Sequence, residues 1–71
     1  MFKVANRYRH RNCLDMDIVV TYIHKVGHYG TDLDVLYWNR NYNSPAVGGT
    51  EEVFIKKDDY PNWTLVEENF V

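Results

Sequence analysis

One cysteine, Cys13, one serine, Ser44, two alanines and no glutamine occur in the 71 residues. Each scarcity excludes something. A lone cysteine forbids an intrachain disulfide, and it suits a reducing, cytoplasmic setting. A lone serine, followed by Pro45 among turn formers, leaves no Ser-His-Asp set. The shortage of strong helix formers argues against a helical bundle. Long apolar runs are also missing. The longest aliphatic run is Ile18 to Val20, far below the roughly 20 residues that span a bilayer as a helix. Behind the charges of residues 1–7 lies no apolar stretch of the kind a secretory leader needs, so none is expected. The length permits one domain with one small core over residues 1–71.

What the chain does contain is β-forming. Val, Ile, Tyr, Phe, Trp and Thr account for 27 residues, and 15% of the chain is aromatic, more than one small core requires. Period 2 dominates. Arg7 to Arg11 alternates cation with ring. Met16 to Val26 sets Met16, Ile18, Val20, Tyr22, His24 and Val26 on one face. Thr31 to Arg40 alternates again, with Leu33, Val35 and Tyr37 together. Gly27-His28-Tyr29-Gly30 is a turn whose glycines are free to take positive φ. The two long runs therefore form an antiparallel hairpin. Pairing Val26 with Thr31 sets Lys25 opposite Asp32, Val20 opposite Tyr37 and Asp17 opposite Arg40. Asn39 to Thr50, rich in Asn, Gly and Pro, is expected as the main loop. Glu51 to Lys56 is a short strand, Lys57 to Pro61 a 3₁₀ turn, and Trp63 to Glu67 the last strand. The residues after Glu67 are expected to fray.

Four constellations bear on chemistry. His10-x2-Cys13-x10-His24-x3-His28 has a zinc-like ligand spacing, but the last two ligands fall on a strand and in a turn, not on one helix face. No metal and no cofactor is expected. Asp15-x-Asp17 and Asp32-x-Asp34 are acid pairs at opposite ends of the hairpin, and they read as charge-paired surface. The Gly48-Gly49-Thr50 stretch lacks the lysine and helix start of a phosphate cradle. The reading is therefore of a chain that is not an enzyme. Residues 1–11 carry four cations and no acid, whereas residues 51–71 carry two lysines and six acids. A basic strand bearing Lys3, Arg7, Arg9 and Arg11, with Tyr8 for base stacking, is how a small barrel would hold single-stranded nucleic acid. The alternative is a solvated edge strand protected by its charges.

Five short strands in about 65 residues, with apolar residues on both faces of the long ones, suggest a closed or nearly closed barrel. Asp59-Tyr60-Pro61-Asn62-Trp63-Thr64-Leu65-Val66 resembles the aromatic-Pro-x-Asn-Tyr-Val segment of the Src-homology-3-like (SH3-like) barrels. Tyr37-Trp38 is similar to the tandem aromatics of their third strand. The expected fold is thus all-β, a five-stranded antiparallel SH3-like barrel with one 3₁₀ turn before the last strand. The resemblance implies an aromatic groove of Tyr37, Trp38, Tyr60, Pro61 and Trp63 that binds a protein partner. The signalling members' Ala-Leu-Tyr-Asp-Tyr run is absent, and Arg7, Arg9 and Arg11 replace their acidic cluster, so proline-rich ligands are not expected. The alternative is that Trp38 and Trp63 close the core. In size and texture the chain also resembles small bacteriophage proteins, including those of marine cyanophages, which implies an accessory role in a host cytoplasm. The sequence reading is an interaction module that binds protein or itself. The rival is the single-stranded nucleic-acid binder.

Overall fold

The computed structural model describes residues 1–70. Five strands follow one another: β1 (Arg7–His10), β2 (Met16–Val26), β3 (Gly30–Asn39), β4 (Ser44–Lys56) and β5 (Trp63–Glu67). A 3₁₀ helix, Lys57–Asn62, joins β4 to β5. All pairings are antiparallel, in the order β4-β3-β2-β1-β5. The all-β class, the strand succession and the 3₁₀ segment before the last strand agree with the expectation. The ladder does not close. Among the described residues β4 pairs only with β3 and β5 only with β1, so the architecture is one open sheet. The 3₁₀ helix packs against β3, β4 and β5 on the open side. β1 is an interior strand between β2 and β5, not the edge strand the charge pattern suggested.

The hairpin register holds only next to the turn. Val26 faces Thr31 and Lys25 faces Asp32, as expected. Beyond that, the ladder shifts twice, between Ile23 and Lys25 and between Val20 and Tyr22, leaving His24 and Thr21 as extra residues on β2. Val20 therefore faces Val35, and Asp17 faces Trp38. The two bulges also correct the expected faces of β2. Ile18 and Val20 point into the core, but beyond the first bulge, at Thr21, Ile23 takes over that role, and Tyr22, His24 and Val26 are exposed. Bulges reconcile a strand's own alternation with the side its partner needs buried.

The expected loop over Asn39–Thr50 is mostly strand. The reversal is confined to residues 40–43, where the Asn39 side-chain carbonyl accepts N–H bonds from Asn41 (2.9 Å) and Tyr42 (3.2 Å). β4 begins directly after it. The breakers downstream mark an irregular stretch. Leu36 pairs with Thr50 and Trp38 with Pro45, so residues 46–49 stand opposite Tyr37 alone. Pro and Gly are tolerated here because β4 is an edge strand. At the other hairpin, Gly27 donates its N–H to the Gly30 carbonyl, 2.8 Å, and neither glycine has positive φ. Gly30 is required for space, since a Cβ there would overlap the Ile55 carbonyl oxygen.

The core lies on the concave face: Phe2, Tyr8, Ile18, Val20, Leu33, Val35 and Ile55, with Ile23, Tyr37, Val53, Tyr60 and Trp63 packed against it. The convex face buries Asp17 and Val19 completely. Of the residues expected to fray, Asn69 and Phe70 dock instead, and Val71 lies outside the described residues. Phe70 donates its N–H to the Ala5 carbonyl, 2.7 Å, and its ring meets Trp38 edge-on at 4.8 Å.

Candidate functional site

The five aromatic-groove residues do not come together. Tyr37 and Trp63 line a concave trough with Ile18, Val53 and Ile55, a space of about 550 Å³ on the open side between β4 and the 3₁₀ helix. Tyr60 turns into the core, where its hydroxyl meets Thr31 Oγ1 at 2.6 Å and its ring meets Phe2 edge-on at 5.7 Å. Pro61 is exposed on the 3₁₀ helix. Trp38 lies on the convex face, its indole N–H donating to Asn43 Oδ1 at 3.3 Å. Neighbours on a strand face opposite ways, so Tyr37 and Trp38 cannot share one groove.

Trp63 is held rigidly. Its Nε1–H donates to Asp59 Oδ2 at 3.0 Å, and its ring stands edge-on to His10 at 4.8 Å and to Phe2 at 6.0 Å. Asp59 organises this corner. Its carboxylate also accepts from Asn62, 2.7 Å, and lies 3.1 Å from His10 Nε2. The bond from Asn62, followed by that from His10, holds the Asp59 carboxyl below its ordinary range. Asp59 is a site residue that the sequence pattern did not single out, although Asp59-x-x-Asn62-Trp63 is a legible one-turn spacing. Across the trough, Tyr37 donates its hydroxyl to Glu51 Oε1 at 2.6 Å. Burial, reinforced by that carboxylate, pushes the Tyr37 phenol up to about 12. Lys56, Asp58 and Asp59 give the trough a charged rim. It is an apolar floor with polar handles at its rim.

The basic residues are dispersed, and two of them are engaged. Arg7 Nε donates to Asp17 Oδ2 at 2.8 Å, and Arg9 donates to both carboxylate oxygens at 2.9 Å. Arg40 Nε lies 3.2 Å from Asp17 Oδ1 without hydrogen-bond geometry, and its guanidinium also meets the Cys13 carbonyl. The expected pairing of Asp17 with Arg40 thus exists as a side-chain contact, although their ladder positions differ. The Arg7 guanidinium stacks 4.8 Å from the Phe70 ring centroid. Tyr8, the proposed stacking ring, is only 3% exposed. Its hydroxyl accepts from the Lys3 amide at 2.8 Å and donates to the Met1 carbonyl at 3.1 Å. Lys3 and Arg11 remain exposed.

His10, Cys13, His24 and His28 are not gathered. His10 sits at Asp59, His24 at Asp34 and His28 beside Tyr29. Among the described residues the group with metal-ligand spacing is a different one. His24, Asp34 and Glu52, on β2, β3 and β4, bring their ligand atoms within 4.8 Å of one another. Its donors are those of a divalent-cation site on an open face. The His24 Nε2 to Asp34 Oδ1 distance is 2.8 Å, and this hydrogen bond raises the His24 pKa above its ordinary 6.5. A raised folded-state pKa makes the contact favourable at low pH and removes it as pH climbs through the raised value. An NMR pH titration is therefore expected to place the His24 ring above 6.5, and Asp34→Asn to return it towards that value. A ring titrating at 6.5 or lower in the native chain would mean the contact is not populated in solution.

No protein-family model matches the chain, and no curated protein or solved structure matches it.

Proposed function

We propose that this chain is a non-enzymatic interaction module, a small barrel of the SH3-like kind, that takes an extended protein segment in the trough between β4 and the 3₁₀ helix. The barrel reading is supported by the meander of consecutive antiparallel strands, the return of β5 beside β1, and the 3₁₀ segment before β5. The observation that carries the binding reading is the trough itself. Tyr37 and Trp63 flank Ile18, Val53 and Ile55, and Trp63 is braced by Asp59. Rigid aromatic side chains around an apolar floor bind with little ordering cost. Against nucleic acid stand the burial of Tyr8 and the engagement of Arg7 and Arg9 by Asp17. Phosphate contacts would fall to Lys3, Arg11 and the outer edge of Arg9.

The test is a selection of random displayed peptides against the immobilised chain. Selected peptides are expected to bind Val53→Lys at least about tenfold more weakly, with circular dichroism confirming that the variant folds. Their affinity should barely change between about 50 and 200 mM salt. An empty selection, together with single-stranded oligonucleotide binding that collapses over that salt range, would replace this reading with the nucleic-acid one.

A further inference from the structure

We infer that this chain also pairs with a second copy of itself, joined through the outer edge of β4 in a two-fold pair centred on Phe54. The inference goes beyond the trough reading and names a second surface and its partner. Among the described residues β4 is the long unpaired edge of the sheet, and Phe54 on it, at the margin of the trough, is 55% exposed. The hydrogen-bond phase of that edge follows from one bond. Lys57 donates its N–H to the Tyr29 carbonyl at 2.9 Å, in register with the β3–β4 ladder. Antiparallel pairs alternate between bonded and non-bonded. Counting back, Ile55, Val53 and Glu51 direct their main-chain groups to β3. Phe54 and Glu52 direct theirs outwards, as does the Lys56 N–H.

The side chains along this edge are self-complementary. Residues 51–57 read Glu-Glu-Val-Phe-Ile-Lys-Lys, acids before Phe54 and lysines after it. An antiparallel pair related by a two-fold axis at Phe54 sets Phe54 opposite Phe54, Val53 opposite Ile55, Glu52 opposite Lys56 and Glu51 opposite Lys57 of the other copy. The same register opposes the outward-facing amides and carbonyls. Phe54 exchanges two bonds with its mate, and each Lys56 N–H meets a Glu52 carbonyl. The Phe54-centred register is the best of those the edge offers. Centring on Glu52 or Lys56 opposes like charges, centring on Val53 or Ile55 keeps the outward amides matched but sets Phe54 against Glu52 or Lys56 and loses the charge pairs, and slipping the pairing by one residue sets outward amides against inward ones. Edge charges ordinarily block strand pairing; here their order favours the Phe54-centred self-pairing.

Sedimentation equilibrium tests this with two exposed substitutions. The native chain is expected to dimerise. Glu52→Lys and Lys56→Glu should each weaken the dimer on the order of tenfold or more, because each turns two opposite-charge pairs into like-charge pairs. An equimolar mixture of the two variants should recover a heterodimer, since every charge is again opposed by its counterpart. A native chain that stays monomeric at millimolar concentration overturns the inference. So does a dimer indifferent to both substitutions, or a mixture that recovers nothing. Selected peptides titrated into Glu52→Lys test the trough separately. Peptide binding with a monomeric native chain sinks the dimer alone, and a dimer whose trough takes no peptide sinks the trough reading alone.

Discussion

Asp17→Asn is expected to lower the unfolding free energy by about 3–5 kcal/mol, the usual cost of removing one partner from a buried ion cluster. The carboxylate is wholly buried and lies among three guanidiniums, those of Arg7, Arg9 and Arg40. Arg7 and Arg40 are themselves mostly covered, at 11% and 20% side-chain exposure. Asparagine keeps the shape and loses the charge, so three cations would face one another with no counter-ion. In a domain this small, with total stability of roughly 0.05–0.15 kcal/mol per residue, that loss is a large part of the whole. Urea titration measures it directly. A change under about 1 kcal/mol would mean that the arginines swing into solvent and that the cluster contributes little.

The same cluster sets the acid limit. Burial alone would raise the Asp17 pKa, but hydrogen bonds from Arg9 and Arg7 outweigh it and hold the carboxyl below its ordinary 3.8. A folded-state pKa below the unfolded one gives stability that is present above 3.8 and lost as pH falls through the lower, native value. Acid unfolding of the native chain should carry this contribution, and Asp17→Asn should lack it.

Leu33→Ala is expected to cost about 2–5 kcal/mol, from lost burial plus the cavity left behind. Leu33 has no exposed surface, and its ladder neighbours are Ile23 on β2 and Val53 on β4. Because all three are paired strand residues of one sheet, the surrounding backbone has little freedom to collapse into the space. Val26→Ala in the same hairpin is the matched control. Val26 is 71% exposed and should change stability by less than about 0.5 kcal/mol. Thermal melts of the two variants side by side check both numbers. Equal and small shifts would place the core elsewhere than between β2, β3 and β4.

Local chemistry was legible in the order of residues. The β class, the turn at residues 27–30, the 3₁₀ segment and the bounds of β5 follow from period-2 alternation and from breakers at short range. So do the inward Val53 and Ile55 and the outward Phe54, because strand faces alternate. The separation of Tyr37 from Trp38 was legible by the same rule, yet the family resemblance had grouped them. The charge order of residues 51–57 was also in plain view. Without the knowledge that β4 is an edge and that Phe54 turns its amide outwards, it had no meaning.

Tertiary structure alone decided the rest. Nothing near Thr21 or His24 in the chain announces a bulge. The bulge at Thr21 arises because β3 presents Leu33 and Val35 to the core and β2 must answer with Ile23 and Val20 across an uneven spacing. Nor does Asp17 advertise three arginines, since Arg7 and Arg9 reach it from β1 and Arg40 from the far end of β3. Strand pairing brings distant residues together at the cost of loop entropy, and a one-residue shift changes every neighbour. Local patterning therefore determined which segments are strands and which side chains share a face. Only the assembled sheet settled which strands lie inside, which edge stays open and where the charges meet.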